Sequence, residues 1–172
     1  IIKNKVNSMK EQNGFYTLKG YQKNDSADMT SAMEDYLEMI CRILQQGETV
    51  KVGELSQRLH VKPSSVTKMV QQLTNCGYLR SEKYGLICLT QKGSKVGKYL
   101  LYRHDVLFHF LCILNHSQDE LEEAEKIEHF LTPATIHRLD ELTKELEITR
   151  GKASAELSQK GQMNSIEKRP PP

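Results

Sequence analysis

The fold of this chain is decided by the stretch PSSVTKMVQQL at residues 63–73. A proline suits the first turn of a helix, where no backbone N–H is needed for the helical hydrogen bonds. Apolar side chains then recur at helical spacing, at Val66, Met69, Val70 and Leu73. The opposite face carries short polar and basic side chains in its first turns. This arrangement is typical of a helix that faces base edges and phosphates in a DNA groove.

The segments on either side of this helix complete a winged helix-turn-helix. A short helix is predicted at residues 52–59, and a tight turn at 60–62 joins it to the first stretch. An earlier helix begins at the S-x-x-E capping box of residues 31–34 and ends at Gly47. Downstream, residues 78–83 alternate between apolar and polar, turn at Tyr84-Gly85 and return at 86–90, which predicts a β-hairpin wing.

The second half of the chain has helical spacing throughout. Thr90 is placed to cap a long helix, a second capping box at residues 117–120 opens a helix that runs to Leu131, and Thr132-Pro133 begins a last helix. We therefore predict a mainly α fold with an N-terminal winged helix-turn-helix domain and a helical domain after it. The predicted boundaries are a flexible extension at 1–29, the two domains at 30–92 and 93–150, and a polar, disordered tail at 151–172.

Composition narrows the class of protein. The chain has 172 residues, of which 38% are hydrophobic, and no apolar run approaches the roughly 18 residues that span a bilayer. We expect a soluble, cytoplasmic protein. Its four cysteines form no C-x-x-C pair, so a zinc ribbon is unsupported and each cysteine is predicted to be a small, buried apolar residue.

Charge is distributed unevenly along the chain. Residues 50–104 hold ten Lys/Arg against two acidic residues, a net charge of +8, whereas residues 105–150 hold four against eleven, a net charge of −7. The basic half predicts a face that binds a polyanion, and the acidic half a surface for cations or a partner. The predicted DNA-binding residues are Lys62, Ser64, Ser65, Thr67, Lys68, Gln71, Arg80 and Lys83. The alternative is an ordinary solvated helix face, or a winged fold that binds only proteins.

Three segments carry side chains that suit a hard divalent cation. Asp35 and Glu38 share one face of the first helix at a spacing of three residues. Two further segments contribute His104 on the long helix, and Glu125, Glu128 and His129 on the next one. Four carboxylates and two imidazoles without a thiolate favour Mn²⁺ or a similar ion. Each piece alone also fits a solvated acidic helix face or an isolated histidine.

Several motifs occur in a fixed order along the chain: MEDYLE (33–38), PSSVTKMV (63–70), EKY (82–84), LTQKG (89–93), YRH (102–104) and IEH (127–129). Together they resemble the manganese transport regulator branch of the diphtheria-toxin-repressor family over about residues 31–147. The resemblance implies a metal-binding and dimerisation role for the helical domain, and a homodimer that binds pseudo-palindromic operators when loaded with metal. It also implies that the six candidate residues are ligands of two neighbouring Mn²⁺ ions per subunit.

The resemblance further implies a repressor of metal-uptake genes, with no catalytic residues. The iron-responsive branch of that family tends to place Met and Cys where this chain has Asp35 and Glu128, so Fe²⁺ or another divalent cation is the alternative metal. A winged-helix regulator that responds to an organic ligand and a dinuclear metallohydrolase are the rival functions. The apolar positions 107, 110, 111, 113, 114 and 131 are candidates for either a dimer seam or an intramolecular core.

Overall fold

Helices account for most of the chain that the computed structural model describes, which is residues 29–82 and 85–166, with side chains described as far as residue 150 apart from residue 81. The elements are α1 (Ser31–Gln45), α2 (Val52–Arg58), α3 (Pro63–Asn75), β1 (Leu79–Ser81), β2 (Ile87–Leu89), α4 (Gln91–Asn115), α5 (Leu121–Ile127), a 3-10 turn (Glu128–Phe130) and α6 (Pro133–Ile166). This order confirms the predicted fold class, a mainly α chain with a winged helix-turn-helix before a helical region. None of the helices described is long and apolar enough to cross a membrane.

The helix-turn-helix is formed by α2 and α3. Val66, Val70 and Leu73 are buried on α3, while Met69 is only partly buried. The helix ends at Asn75 with Cys76 as its C-cap, and Gly77 follows with a φ of +77°, a left-handed conformation that costs glycine little. The predicted wing is present as an antiparallel pair of strands in which residue 80 faces residue 88.

The long helix α4 connects the two halves of the molecule. Thr90 caps it as predicted, because its hydroxyl oxygen accepts a hydrogen bond from the backbone N–H of Gly93 at 3.0 Å. The helix packs against α1 on one side and α6 on the other. Side chains on α4 therefore reach both the DNA-reading part and the C-terminal helices.

The helical region has its own core, which contains Val106, Leu107, Leu111, Ala124 and Ile136. Of the six candidates for a dimer seam, the leucines at 107 and 111 are part of this intramolecular core. The side chains at 110 and 131 pack against it, and residue 113 is partly buried. Only residue 114, at 58% exposure, stays open to solvent among the six.

Two helix boundaries differ from the sequence prediction. The helix predicted to open at the second capping box begins later, at Leu121, because the Ser117 hydroxyl donates to Glu120 Oε1 at 2.6 Å within the preceding loop. The α-helix also ends earlier, at Ile127, and a 3-10 turn replaces its last turn. Glu128 and His129 therefore lie on a 3-10 turn between α5 and α6.

The last helix α6 continues to Ile166, so the backbone is helical in a segment predicted to be a disordered tail from residue 151. Residues 151–166 contain many good helix formers, and their two glycines, Gly151 and Gly161, each cost only about 1 kcal/mol in a helix. The predictions for residues 1–28 and 167–172 fall outside the described residues. The domain boundary at residues 92/93 stays a prediction.

Candidate metal centre and nucleic-acid interface

The six predicted metal ligands lie together at the junction of four elements. Helix α1 supplies two of them, α4 and α5 supply one each, and the 3-10 turn supplies the remaining pair. Each has a ligating atom within 4 Å of another member of the set. The fold thus brings together residues from 35 to 129 that are close to one another only in the tertiary structure.

One half of the cluster is centred on His104, which is 3% exposed. Its Nδ1 lies 3.2 Å from Glu128 Oε2, 3.5 Å from Glu125 Oε1 and 3.8 Å from Glu38 Oε1. One ligating atom each from Glu38, His104 and Glu125 lies within 4.8 Å of the others. Atoms bound to one ion at about 2 Å lie at most about 4 Å apart, so a small inward shift of these side chains suffices for binding.

The other half is centred on His129, whose Nε2 lies 2.9 Å from Asp35 Oδ1 and 3.9 Å from Glu128 Oε1. Glu128 is 1% exposed and contacts both halves, since Oε2 faces His104 and Oε1 faces His129. A carboxylate in this position is suited to bridge two cations.

Two residues at the centre were missed by the sequence analysis, Glu34 and Arg103. The guanidinium of Arg103 is buried and donates to Glu34 Oε2 and Glu128 Oε1, both at 2.9 Å. Glu34 Oε2 also lies 2.8 Å from His129 Nδ1. The sequence held a signal for Arg103, because this charged residue stands at a helical position of α4 that is otherwise apolar. Glu34 gave no such signal, because its position fits a helix-capping box.

Burial and hydrogen bonds shift the pKa values of the cluster. Burial raises the pKa of Glu38 despite the hydrogen bond from Arg42, and it also raises the pKa of Glu125. The hydrogen bond to Glu128 raises the pKa of His104. The contacts with Asp35 and then Glu34 raise the pKa of His129 to about 10. Without a cation His129 therefore holds a proton at neutral pH, which a metal ligand must release.

The donor set fits a hard divalent cation. It consists of carboxylate oxygens and imidazole nitrogens, which suit Mn²⁺ better than a thiophilic ion. The thiol of Cys41 on α1 is buried, as the sequence predicted, and burial raises its pKa to about 11. It therefore stays protonated near neutral pH and supplies no thiolate. The same prediction of burial is wrong for Cys76, which is exposed just after α3, while Cys88 and Cys112 are only partly buried.

The predicted DNA-binding residues of α3 and the residue before it form one exposed strip: Lys62, Ser64, Ser65, Thr67, Lys68 and Gln71. The Thr67 hydroxyl donates to the Pro63 carbonyl at 3.0 Å, which leaves its oxygen lone pairs free to accept. Arg80 on β1 is exposed and pairs with Glu82 at 2.5 Å. The last predicted contact, Lys83, falls outside the described residues.

Two family models match consecutive segments of this chain, one over the helix-turn-helix and wing and one over the helical region. Residues 28–86 match the model described as "Iron dependent repressor, N-terminal DNA binding domain". Residues 90–150 match "Iron dependent repressor, metal binding and dimerisation domain". The chain belongs to the iron-dependent repressor family. This family is one of transcriptional repressors rather than enzymes, and the match confirms the resemblance seen in the sequence.

Relatives within the family include two bacterial proteins named HTH-type transcriptional regulator MntR. The protein of Bacillus velezensis is 38% identical over 141 residues, which cover 81% of this chain and 94% of the relative. The protein of Bacillus subtilis is 41% identical over 119 residues, which cover 69% and 84%.

Solved structures of family members share the fold. The manganese regulator SloR matches with a TM-score of 0.60 at 26% identity, and the metal-dependent transcriptional regulator MtsR with a TM-score of 0.60 at 28% identity. Each match covers 67% of this chain and 55% of the solved chain. The chain thus spans about half the length of these structures.

Proposed function

We propose that this protein is a manganese-dependent transcriptional repressor that binds palindromic operator DNA as a metal-loaded homodimer and controls metal-uptake genes. One observation carries the proposal. The donor atoms are divided between α1, which packs in the DNA-reading half, and the α4, α5 and 3-10 turn segments of the helical half. A site that takes ligands from both halves makes their relative orientation depend on its occupancy.

The chemistry that bound Mn²⁺ supplies is positive charge, which offsets the repulsion among the four carboxylates. Asp35 and Glu38 then hold α1 at a fixed distance from His104 and from the 3-10 turn. In a dimer this fixes the separation of the two α3 helices, which must reach half-sites roughly 34 Å apart. If loading tightens operator binding 100-fold, the coupling is about 2.7 kcal/mol, and DNA tightens metal binding equally.

Two ions per subunit are proposed, because each oxygen of Glu128 faces a different histidine. The all-oxygen and nitrogen donor set supports Mn²⁺ over Fe²⁺, with other divalent cations as weaker ligands of the same residues. The name of one solved relative, the manganese regulator SloR, supports the same metal.

The partners are double-stranded DNA and a second copy of this chain, in the cytoplasm. In this proposal the exposed strip along α3 faces the major groove, Gln71 pairs with adenine, and Lys62, Arg80 and Lys83 contact phosphates. Exposed apolar side chains of the helical region supply the dimer surface; they are Leu114, Leu121, Phe130, Leu142, Leu146 and Ile148.

Operator binding with and without Mn²⁺ tests the proposal. DNA selected from a random pool by the Mn²⁺-loaded protein is titrated with the native chain and with His104→Ala. We expect the native chain to bind about 100-fold more tightly with Mn²⁺, and the variant to lose this gain. His109→Ala is the matched control, because His109 lies on the same helix and is exposed.

Equal binding by the native chain with and without Mn²⁺ would contradict the proposal. Activation by Fe²⁺ and not by Mn²⁺ would leave the repressor function in place and show that its metal is iron. Hydrolysis of a phosphoester substrate by the loaded protein would instead support the metallohydrolase alternative.

A further inference from the structure

Behind the proposed ligands lies a second layer of charge that the ligand set does not include. Glu34 and Arg103 form an ion pair at 2.9 Å, and the Arg103 side chain is 5% exposed. Glu34 stands on α1 and Arg103 on α4, and both reach the 3-10 turn. Glu34 is partly exposed, at 23%, and Arg103 Nε has no hydrogen-bond partner, so this layer of charge rests on the two terminal nitrogens of Arg103. Burying a charge costs desolvation energy that only well-placed partners offset.

We propose that Glu34 is a positioning residue that orients His129 for metal binding, and that Arg103 holds Glu34 and Glu128 in place for this task. The inference rests on the proposed manganese site and deepens it. Neither Glu34 nor Arg103 is proposed to contact the cation directly.

The hydrogen-bond geometry defines the role of Glu34. Its Oε2 lies 2.8 Å from His129 Nδ1, whereas Asp35 Oδ1 lies 2.9 Å from Nε2 on the other side of the ring. A carboxylate only accepts, so Nδ1 donates its proton to Glu34. Asp35 accepts from Nε2–H in the same way, so the metal-free ring is held by a carboxylate on each side. Nε2 is the position that gives up its proton to a cation, because Asp35 is itself a proposed ligand and Glu34 is not. This is the carboxylate–histidine relationship that sets ring orientation at many metal sites.

Arg103 holds the other groups of this layer. One terminal nitrogen donates to Glu34 Oε2 and the other to Glu128 Oε1, each at 2.9 Å. Glu128 is nearly fully buried, and Arg103 leaves its Oε2 on the side of His104. Arg103 therefore joins α1 to the 3-10 turn by a contact that does not depend on the cation.

Mn²⁺ binding and ring spectroscopy on the full-length protein test the inference. Free Mn²⁺ is followed by its electron paramagnetic resonance signal during titration of the native chain, Glu34→Leu and Glu34→Gln. We expect Glu34→Leu to lose about 10- to 100-fold in affinity. Glu34→Gln is expected to keep part of it, because an amide oxygen still accepts from Nδ1–H. Glu141→Leu is the control, since Glu141 lies on α6 and its side chain is 62% exposed.

Nitrogen-15 NMR of the Cd²⁺-loaded native chain provides the readout that a purely structural role would not give. We expect coupling of ¹¹³Cd to His129 Nε2 and a proton on Nδ1, with that proton exchanging faster in Glu34→Gln. Unchanged Mn²⁺ affinity in both Glu34 variants, or cadmium coupled to Nδ1, would overturn the inference and leave the manganese site standing. Failure of the native chain to bind Mn²⁺ would overturn both proposals.

Discussion

Gly97 of α4 lies against Cys41 of α1 with no room for a side chain between them. A Cβ added at residue 97 would stand 2.1 Å from the Cys41 sulfur and 3.9 Å from Leu37 Cγ. This close approach is part of the packing between α1 and α4, the two helices that carry Glu34 and Arg103. Because Gly97 has no side chain, α1 and α4 approach closely enough for Glu34 and Arg103 to pair.

Gly97→Ala is expected to destabilise the protein, although alanine is the better helix former. The added methyl overlaps the buried Cys41 sulfur, and overpacking of this kind costs about 1–3 kcal/mol. Urea unfolding of the metal-free protein measures the loss. Gly53→Ala is the matched control, because Gly53 lies in α2 with nothing within 4 Å of an added Cβ; it should be neutral or stabilising by up to about 1 kcal/mol.

The double variant Gly97→Ala with Cys41→Ala tests the assigned contact directly. Removing the sulfur makes room for the methyl, so the two changes should couple favourably by about 0.5–3 kcal/mol. Additive losses in the two single variants would show that the clash lies elsewhere.

Mn²⁺ affinity is expected to rise with pH. His129 has a pKa of about 10 without the cation, so at neutral pH it must release a proton before Nε2 can bind. One displaced proton raises the logarithm of the binding constant by about 1 per pH unit. The raised pKa of His104 steepens this slope at lower pH. Competition against a fluorescent chelator between pH 6.5 and 8.5 gives the slope, and pH-independent affinity would refute the assignment of His129 as a ligand.

The stability of the metal-free protein is expected to fall as the pH rises, whereas the Mn²⁺ affinity increases. The pKa of His129 is higher in the folded chain, about 10, than its ordinary value of 6.5. Its stabilising contribution is therefore complete below about pH 6.5 and disappears as the pH rises through 10. The raised pKa values of Glu38 and Glu125 also make the folded protein lose stability as the pH rises, over a lower pH range. Melting temperatures in the presence of a chelator should fall from pH 6.5 towards pH 9, and His129→Gln should flatten this dependence.

Two substitutions on the DNA-reading strip should separate affinity from specificity. Lys62→Ala is expected to weaken binding to all sequences and to reduce the salt slope by about 1 per subunit, because it removes a phosphate contact. Gln71→Ala should cost about 1–3 kcal/mol and relax the preference at one base pair per half-site. Lys144→Ala on α6 serves as the control. Identical salt and sequence dependence in all three variants would place the DNA on another surface.

The local architecture could be predicted because it depends on neighbours in the sequence. The spacing of Val66, Val70 and Leu73 identifies the buried side of α3, and Thr90 identifies the start of α4. The types of the six proposed ligands likewise restrict the cation before any coordinates are known. At the metal centre, the sequence analysis missed a residue that has both a local and a distant use. Glu34 fits a capping box by spacing, yet its carboxylate contacts Arg103 and His129.

The sequence by itself determined the order of the helices, the position of the wing, the polar face of α3 that is proposed to meet DNA, and the donor types of the proposed metal centre. These follow from helical and strand periodicity, from capping residues and from donor chemistry, which are all local properties. Only the tertiary structure decided which charges pair inside the centre and that Glu128 faces both histidines. Glu34 and Arg103 are 69 residues apart, and Arg103 and Glu128 are 25 apart. No periodic pattern relates such positions. The packing of α1 on α4, close at Gly97, brings them together, with Arg103 and Glu128 buried.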